Sequence, residues 1–153
     1  MAKNCPTGSC GITGKGIDRI LLCVDGSPGS MKAAQRARDM ALSFGAEVLI
    51  LHVLTPMEES TFLAKSARAI TEEVESRTMD AVNIMENAKV LFETKMLVGN
   101  AAEKILEMAE DEETPYDLIV LGSKGASQIG RFLMGSVALA VTQSSRVPVL
   151  VVP

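Results

Sequence analysis

Three glycines and a serine late in the chain carry the clearest chemical signal. Gly122-Ser123-Lys124-Gly125 is followed by nine residues and then by Gly135-Ser136. Glycine at positions 122 and 125 can take positive φ and lets the backbone come close to a ligand. Gly135 removes a side chain where a helix N-terminus would meet an anion. Ser136 adds a hydroxyl and an N–H, and the amides of Val137 and Ala138 join it at the positive end of the helix. Together these groups suit phosphate. Lys124 and Arg131 either add charge to that site or are plain surface cations. The spacing is not a Walker A loop, since no GK[ST] closes it, and it is not GxGxxG. At an average glycine frequency of about 7%, such a pattern arises by chance in roughly one chain in a hundred. The plain alternative is a structural loop whose glycines serve turns.

Other residues with chemical potential are each open to two readings. Asp25, ending an apolar run, is either a ligand contact or a helix-capping turn residue. His52, next to Val53, is either a structural histidine or a pH-sensitive contact near the site. Cys23 reads as a small buried hydrophobe, and the methionines (Met40, Met85 and Met108 among them) as core fillers. Cys5 and Cys10 lie in a tail, Met1 to Gly16, whose Gly, Ser, Thr and Lys content reads as flexible. They are either part of a disordered lead-in or a thiol pair for redox sensing or metal capture. Their five-residue step is not the CxxC of zinc sites, and one His in the chain makes a four-ligand zinc site hard to build.

The elements that must position these residues alternate. Ile17–Val24 (IDRILLCV) reads as a buried strand stopping at Asp25-Gly26-Ser27-Pro28. Pro28 opens a helix whose face is Ala33, Ala37, Met40, Ala41 and Phe44, and Gly45 caps it. Ala46–Val53 is a second strand. Glu58 to Lys89 is amphipathic, as one helix or as two with a break. Phe92–Val98 is a less buried third strand near a sheet edge. Asn100–Glu113 is a helix with Ala102, Ile105, Leu106 and Ala109 inward, whose acidic end opposes the helix dipole. Tyr116–Leu121 is a fourth strand, Gly135–Ser144 a fourth helix and Val147–Val152 a fifth strand. A β-α-β-α-β-α-β-α-β order predicts a parallel sheet with helices on both faces. Ligands in such sheets bind beyond the C-terminal strand ends, here after Val24, Val53 and Leu121.

The bulk properties agree with one domain of 153 residues, 17–153 with the tail 1–16 in front. Hydrophobic residues make up 47%, aromatic residues only 3%, and Trp is absent. The core must therefore be aliphatic, which fits a parallel sheet under Ala- and Met-rich helices. A net charge of -4 gives no reason to expect nucleic acid as a partner. No apolar run reaches the roughly 18 residues of a membrane span. The N-terminus lacks the apolar stretch of a signal peptide, so the expected location is cytoplasmic.

The span Ile17–Pro153 resembles the universal stress protein family, specifically its ATP-binding branch. The matching pieces are ILLCVDGS, LILHV, VGNAAEKIL, DLIVLGSKG, GRFLMGSVALAV and VPVLVV. The resemblance implies an adenine nucleotide alpha hydrolase-like α/β fold: a single doubly wound, five-stranded parallel sheet of order 3-2-1-4-5. It implies that Asp25 contacts ribose or adenine edge atoms, with Cys23 and Val24 beside the adenine and Val53 holding it by main-chain bonds. Leu121, Gly122 and Gly125 match the ribose and phosphate approach, and Gly135, Ser136, Val137 and Ala138 the phosphate cradle. Ala138 stands where ATP-binding members often carry a hydroxyl, leaving its backbone N–H. The implied ligand is ATP, with Mg²⁺ bridging phosphate oxygens rather than caged by protein.

No base to activate water falls in the glycine loop, so slow hydrolysis at most is expected. The resemblance further implies a homodimer through Val147–Val152 and a nucleotide-dependent stress or signalling role toward an unidentified protein partner. Two alternatives stand beside it. One is a slow ATPase or adenylate-transferring enzyme. The other is a ligand-free dimeric interaction protein under redox control through Cys5 and Cys10.

Overall fold

The computed structural model describes residues 16–56, 67–125 and 133–153. The elements are β1 (Arg19–Cys23), α1 (Pro28–Phe44), β2 (Glu47–Leu54), α2 (Ala67–Asn87), β3 (Phe92–Val98), α3 (Ala101–Ala109), β4 (Leu118–Gly122), α4 (Ser136–Ser144) and β5 (Val149–Val152). All strand pairs are parallel, in the order β3-β2-β1-β4-β5. This is the expected doubly wound sheet. The strand order reverses between β1 and β4, which opens a crevice above their C-terminal ends.

The strands alternate their side chains between two apolar layers. Ile20, Leu22, Val48, Ile50 and Val120 pack under α1 and α2 with Ala33, Ala37, Ala81 and Met85. Leu21, Cys23, Leu49, Leu51, Ile119 and Leu121 pack under α3 and α4 with Ile105, Ala109, Ala138 and Val141. Alanines at 33, 34, 37 and 41 are all buried, so small side chains bring α1 close to the sheet. The helix starts are set locally. Ser27 caps α1 by accepting from Ser30 N at 3.2 Å, with Pro28 in the first turn. Asn100 caps α3 by accepting from Glu103 N at 3.1 Å.

Several sequence expectations need correction. Phe44 is on the predicted face of α1 but is 52% exposed, because the last helical turn runs past the surface the sheet can cover. The third helix ends at Ala109, with Glu110 as its cap, not at Glu113. Asp111 Oδ1 accepts from the amides of Glu113 and Thr114 at 3.0 and 2.9 Å. That turn competes with the helix for the same groups, and the bonds hold the Asp111 carboxyl below its usual range. β3 does lie at the sheet edge, where Met96 and Val98 are exposed. Leu63 and the rest of the stretch 57–66 lie outside the described residues, so the segment before α2 is not described.

Candidate functional site

The chain leaves β1 through a built turn. Val24 adds one rung, donating from its N to Leu51 O at 2.9 Å. Asp25 Oδ1 then accepts from Ser27 N at 2.9 Å, so Asp25 does serve the turn. Gly26 has φ 81°, the left-handed region that favours glycine, and a Cβ there would lie 3.3 Å from the Arg77 side chain. Opposite it, β4 leaves the sheet against the first turn of α1. A Cβ on Gly122 would come within 2.9 Å of Gly29 C and 3.0 Å of Gly29 O. A Cβ on Gly29 would lie 2.9 Å from Lys124 O.

These contacts correct the role given to the glycines. Among the described residues positive φ occurs at Gly26, Gly45 and Gly99 and at Lys89, not at Gly122 or Gly125. Gly122 is small because two backbones meet there. Gly125 is small because a Cβ would approach Asp25 Oδ2 to 3.0 Å. Gly135 closes the loop: its N–H donates to Ser123 O at 2.6 Å, and a Cβ would sit 3.2 Å from that oxygen. As the N-cap of α4, Gly135 supplies no side-chain bond to the first turn. The amides of Ser136, Val137 and Ala138 are therefore left for another acceptor.

All of this surrounds one cavity of about 800 Å³ at the C-terminal ends of β1, β2 and β4. Cys23, Val24, Asp25, Val53, Leu121, Gly122, Lys124, Gly125, Gly135, Ser136, Val137 and Ala138 all line it. The twelve come from segments more than a hundred residues apart. Arg131, Cys5 and Cys10 lie outside the described residues. Sequence reasoning missed Gly26, Ser30, Leu51, Thr55, Ser76, Arg77, Ala101, Ile105 and Ser123, which also line the cavity. Arg77 carried no signal in its own segment, because only the packing of α2 across the β1 exit brings it there.

The cavity has two characters. Cys23, Leu51, Val53, Ile105, Leu121, Val137 and Ala138 belong to the apolar layer under α3 and α4. Asp25, Ser30, Thr55, Ser76, Arg77, Ser123 and Lys124 form a polar remainder over the strand tips. An apolar slot joined to a polar, partly cationic region suits a flat ring carrying charged groups. Burial pushes the Cys23 thiol up to about 12 from 9.0, so it packs as a neutral wall and is no nucleophile near neutral pH. His52 is buried, with Nδ1 2.8 Å from Val24 O. Its Nε2 has no partner, so the structural-histidine reading is only half satisfied. Among the described residues no group of three or more His, Cys, Asp or Glu could hold a metal ion, and no helix is long and apolar enough to cross a membrane.

A model of the universal stress protein family matches residues 16–153. The chain belongs to the universal stress protein family. It is 35% identical over 141 residues to the universal stress protein MJ0531 of Methanocaldococcus jannaschii, covering 88% of this chain and 81% of that one. Universal stress protein MJ0577 of the same organism is 33% identical over 153 residues, covering 88% and 93%. The solved structure of MJ0577 superposes with a TM-score of 0.77 over 90% of this chain and 96% of that one, at 28% identity. Two more distant solved members share the fold at a TM-score of 0.66. One is a universal stress protein in complex with cAMP, 24% identical, and the other is the Archaeoglobus fulgidus protein in complex with dAMP, 23% identical. Each covers 90% of this chain and 98% of its own.

Proposed function

We propose that the cavity binds an adenine nucleotide, ATP above all, and that this stress-family protein works as a nucleotide-dependent switch with little hydrolysis. The observation that carries the reading is the junction of the two halves of the cavity. Uncapped amides at the start of α4 meet a glycine-walled approach, and an apolar slot under α3 and α4 lies beside them. Adenine takes the slot between Val24, Val53 and Leu121. Ribose lies by Asp25, and the phosphates run past Gly122 and Gly125 to Gly135, Ser136, Val137 and Ala138. Lys124 and Arg131 add positive charge. That two distant members of the fold are complexes with adenine nucleotides is consistent with this assignment.

Mg²⁺ belongs to the same reading as an ion held by phosphate oxygens. Among the described residues one carboxylate, Asp25, lines the cavity, and such a donor set suits a mostly hydrated, phosphate-bound cation rather than a protein cage. The carboxylate nearest the glycine loop, Asp25, is engaged in the turn by accepting from Ser27 N, which supports little hydrolysis. The role of the bound nucleotide is to change a surface that a protein partner reads. The working unit is a cytoplasmic homodimer joined through Val147–Val152, since β5 is the outer strand on its side of the sheet.

A thermal melt with Mg²⁺, with and without ATP, tests the reading beside a Gly135→Val variant. A ligand at a hundred times its dissociation constant adds about 2.7 kcal/mol to the stability of its protein. The parent should be stabilised by several degrees and the variant much less. An ATP-free parent that does not shift would refute the reading.

A further inference from the structure

The β1–β2 ladder stops in a particular way. Leu51 O faces β1, where it accepts from Val24 N, whereas Leu54 O faces β3, where it accepts from Gly99 N. A strand alternates its backbone groups between its two neighbours, so Val53 turns its N–H and C=O toward β1. The next rung of the ladder would run from Val53 N–H to Val24 O. That carbonyl is instead held by His52 Nδ1 at 2.8 Å. A carbonyl only accepts, so Nδ1 carries the proton. Beyond Val24 the chain turns away through Asp25 and Gly26. Val53 faces the cavity across the gap this leaves.

Packing alone does not account for an imidazole here. His52 is 2% exposed, and its Nε2 is buried without a hydrogen-bond partner. A leucine would fill similar space between β2 and the helices above it and would orphan no polar atom. What the imidazole adds is one N–H, placed on Val24 O.

We propose that His52 is a positioning residue for base recognition: its Nδ1–H occupies Val24 O, ends the ladder one rung early and keeps the Val53 N–H and C=O for the ligand. The inference rests on the nucleotide reading above and says how that site selects its base. A donor and an acceptor side by side match the N1 acceptor and the N6 amino group of adenine. Guanine presents the reverse on the same edge, an N1–H donor and an O6 acceptor. The arrangement therefore selects adenine over guanine, while His52 itself touches no ligand.

His52→Leu removes the N–H, and His52→Asn returns an amide nitrogen near the position of Nδ1. His52→Gln, whose amide reaches the Nε2 position instead, replaces the Leu variant should that one fail to fold. Two measurements are made: calorimetric binding of ATP, GTP and inorganic tripolyphosphate with Mg²⁺, and hydrogen exchange of the Val53 amide without ligand. The Val53 amide should exchange fast in wild type and His52→Asn, and slowly in His52→Leu, where the ladder can close. ATP should weaken about tenfold or more in His52→Leu, with the preference over GTP shrinking and tripolyphosphate unchanged. His52→Asn should restore ATP. Unchanged ATP affinity in His52→Leu, or equal loss of ATP and tripolyphosphate, overturns the proposal. Wild type that binds ATP and GTP alike with a protected Val53 amide overturns it and leaves the nucleotide site standing. Wild type that binds no ATP overturns both.

Discussion

Gly122→Ala isolates what the signature glycine does before any ligand arrives. The added Cβ would lie 2.9 Å from Gly29 C, 3.0 Å from Gly29 O and 3.2 Å from Ser30 N. All three are backbone atoms at the start of α1, so no flexible side chain can move aside. The closest contact is about 0.5 Å short of the 3.4 Å at which ordinary contact begins, so β4 and α1 must shift apart. Overpacking of this kind costs about 1–3 kcal/mol. The smaller entropy of the unfolded alanine chain offsets about 0.4–1 kcal/mol of that. A net loss of roughly 1–2 kcal/mol lowers the melting temperature by about 2–8 °C in a domain of this size. Differential scanning calorimetry of nucleotide-free protein reads this directly. Gly16→Ala is the control, since a Cβ there meets nothing within 4 Å, and it should leave the melt within about 0.5 kcal/mol of the parent. If Gly122→Ala melts with the parent but no longer binds ATP, the glycine serves the ligand's approach, and the reasoning from helix–strand contact is wrong.

Two further predictions follow from single contacts. The Cys23 thiol titrates near 12 in the folded chain and near 9.0 when unfolded, because burial disfavours the thiolate. Its stabilising effect is complete below about pH 9 and is lost as pH rises toward 12, as the unfolded chain ionises first. Burial also raises the Tyr116 hydroxyl above its usual value. The specific expectation is therefore that Cys23→Ala flattens part of the stability-against-pH curve in that window, and an identical curve would contradict the assignment. At the other side of the sheet, Pro148 O and Val152 O accept from Ile119 N and Ser123 N of the β4 side, so Val151 turns its N–H outward. Val151→Pro should leave the fold intact and convert the proposed dimer to monomer in sedimentation, because proline on an edge strand removes only the outward donor. A dimer that survives would place the interface elsewhere.

The strand and helix order was legible because β1, β2, β4 and β5 are short apolar runs and α1 and α3 have clear starts. Ser27-Pro28, Gly45 and Asn100 mark those limits in chemistry that acts within a few residues. Twelve positions singled out in the sequence line one cavity, but the sequence did not show what holds them there. Gly122 looked like a left-handed turn residue. Its real constraint is Gly29, ninety-three residues earlier in the chain, and nothing in local spacing reports such a contact. Arg77 was missed for the same reason, since its cavity-facing side chain depends on how α2 crosses β1. Phe44 fitted the helical period, but period alone does not say where the covering surface ends. His52 reads from sequence as a structural histidine or a pH-sensitive contact, and neither reading shows that its side chain holds Val24 O, twenty-eight residues earlier.

The most direct test of the central claim is the amide spectrum of isotope-labelled protein as ATP and Mg²⁺ are added. The account predicts two groups of perturbed amides: Ser136, Val137 and Ala138 at the start of α4, and Val53 at the end of β2, both saturating with one affinity. No perturbation, or perturbation confined to the far end of the sheet around Arg19 and Glu47, would contradict it.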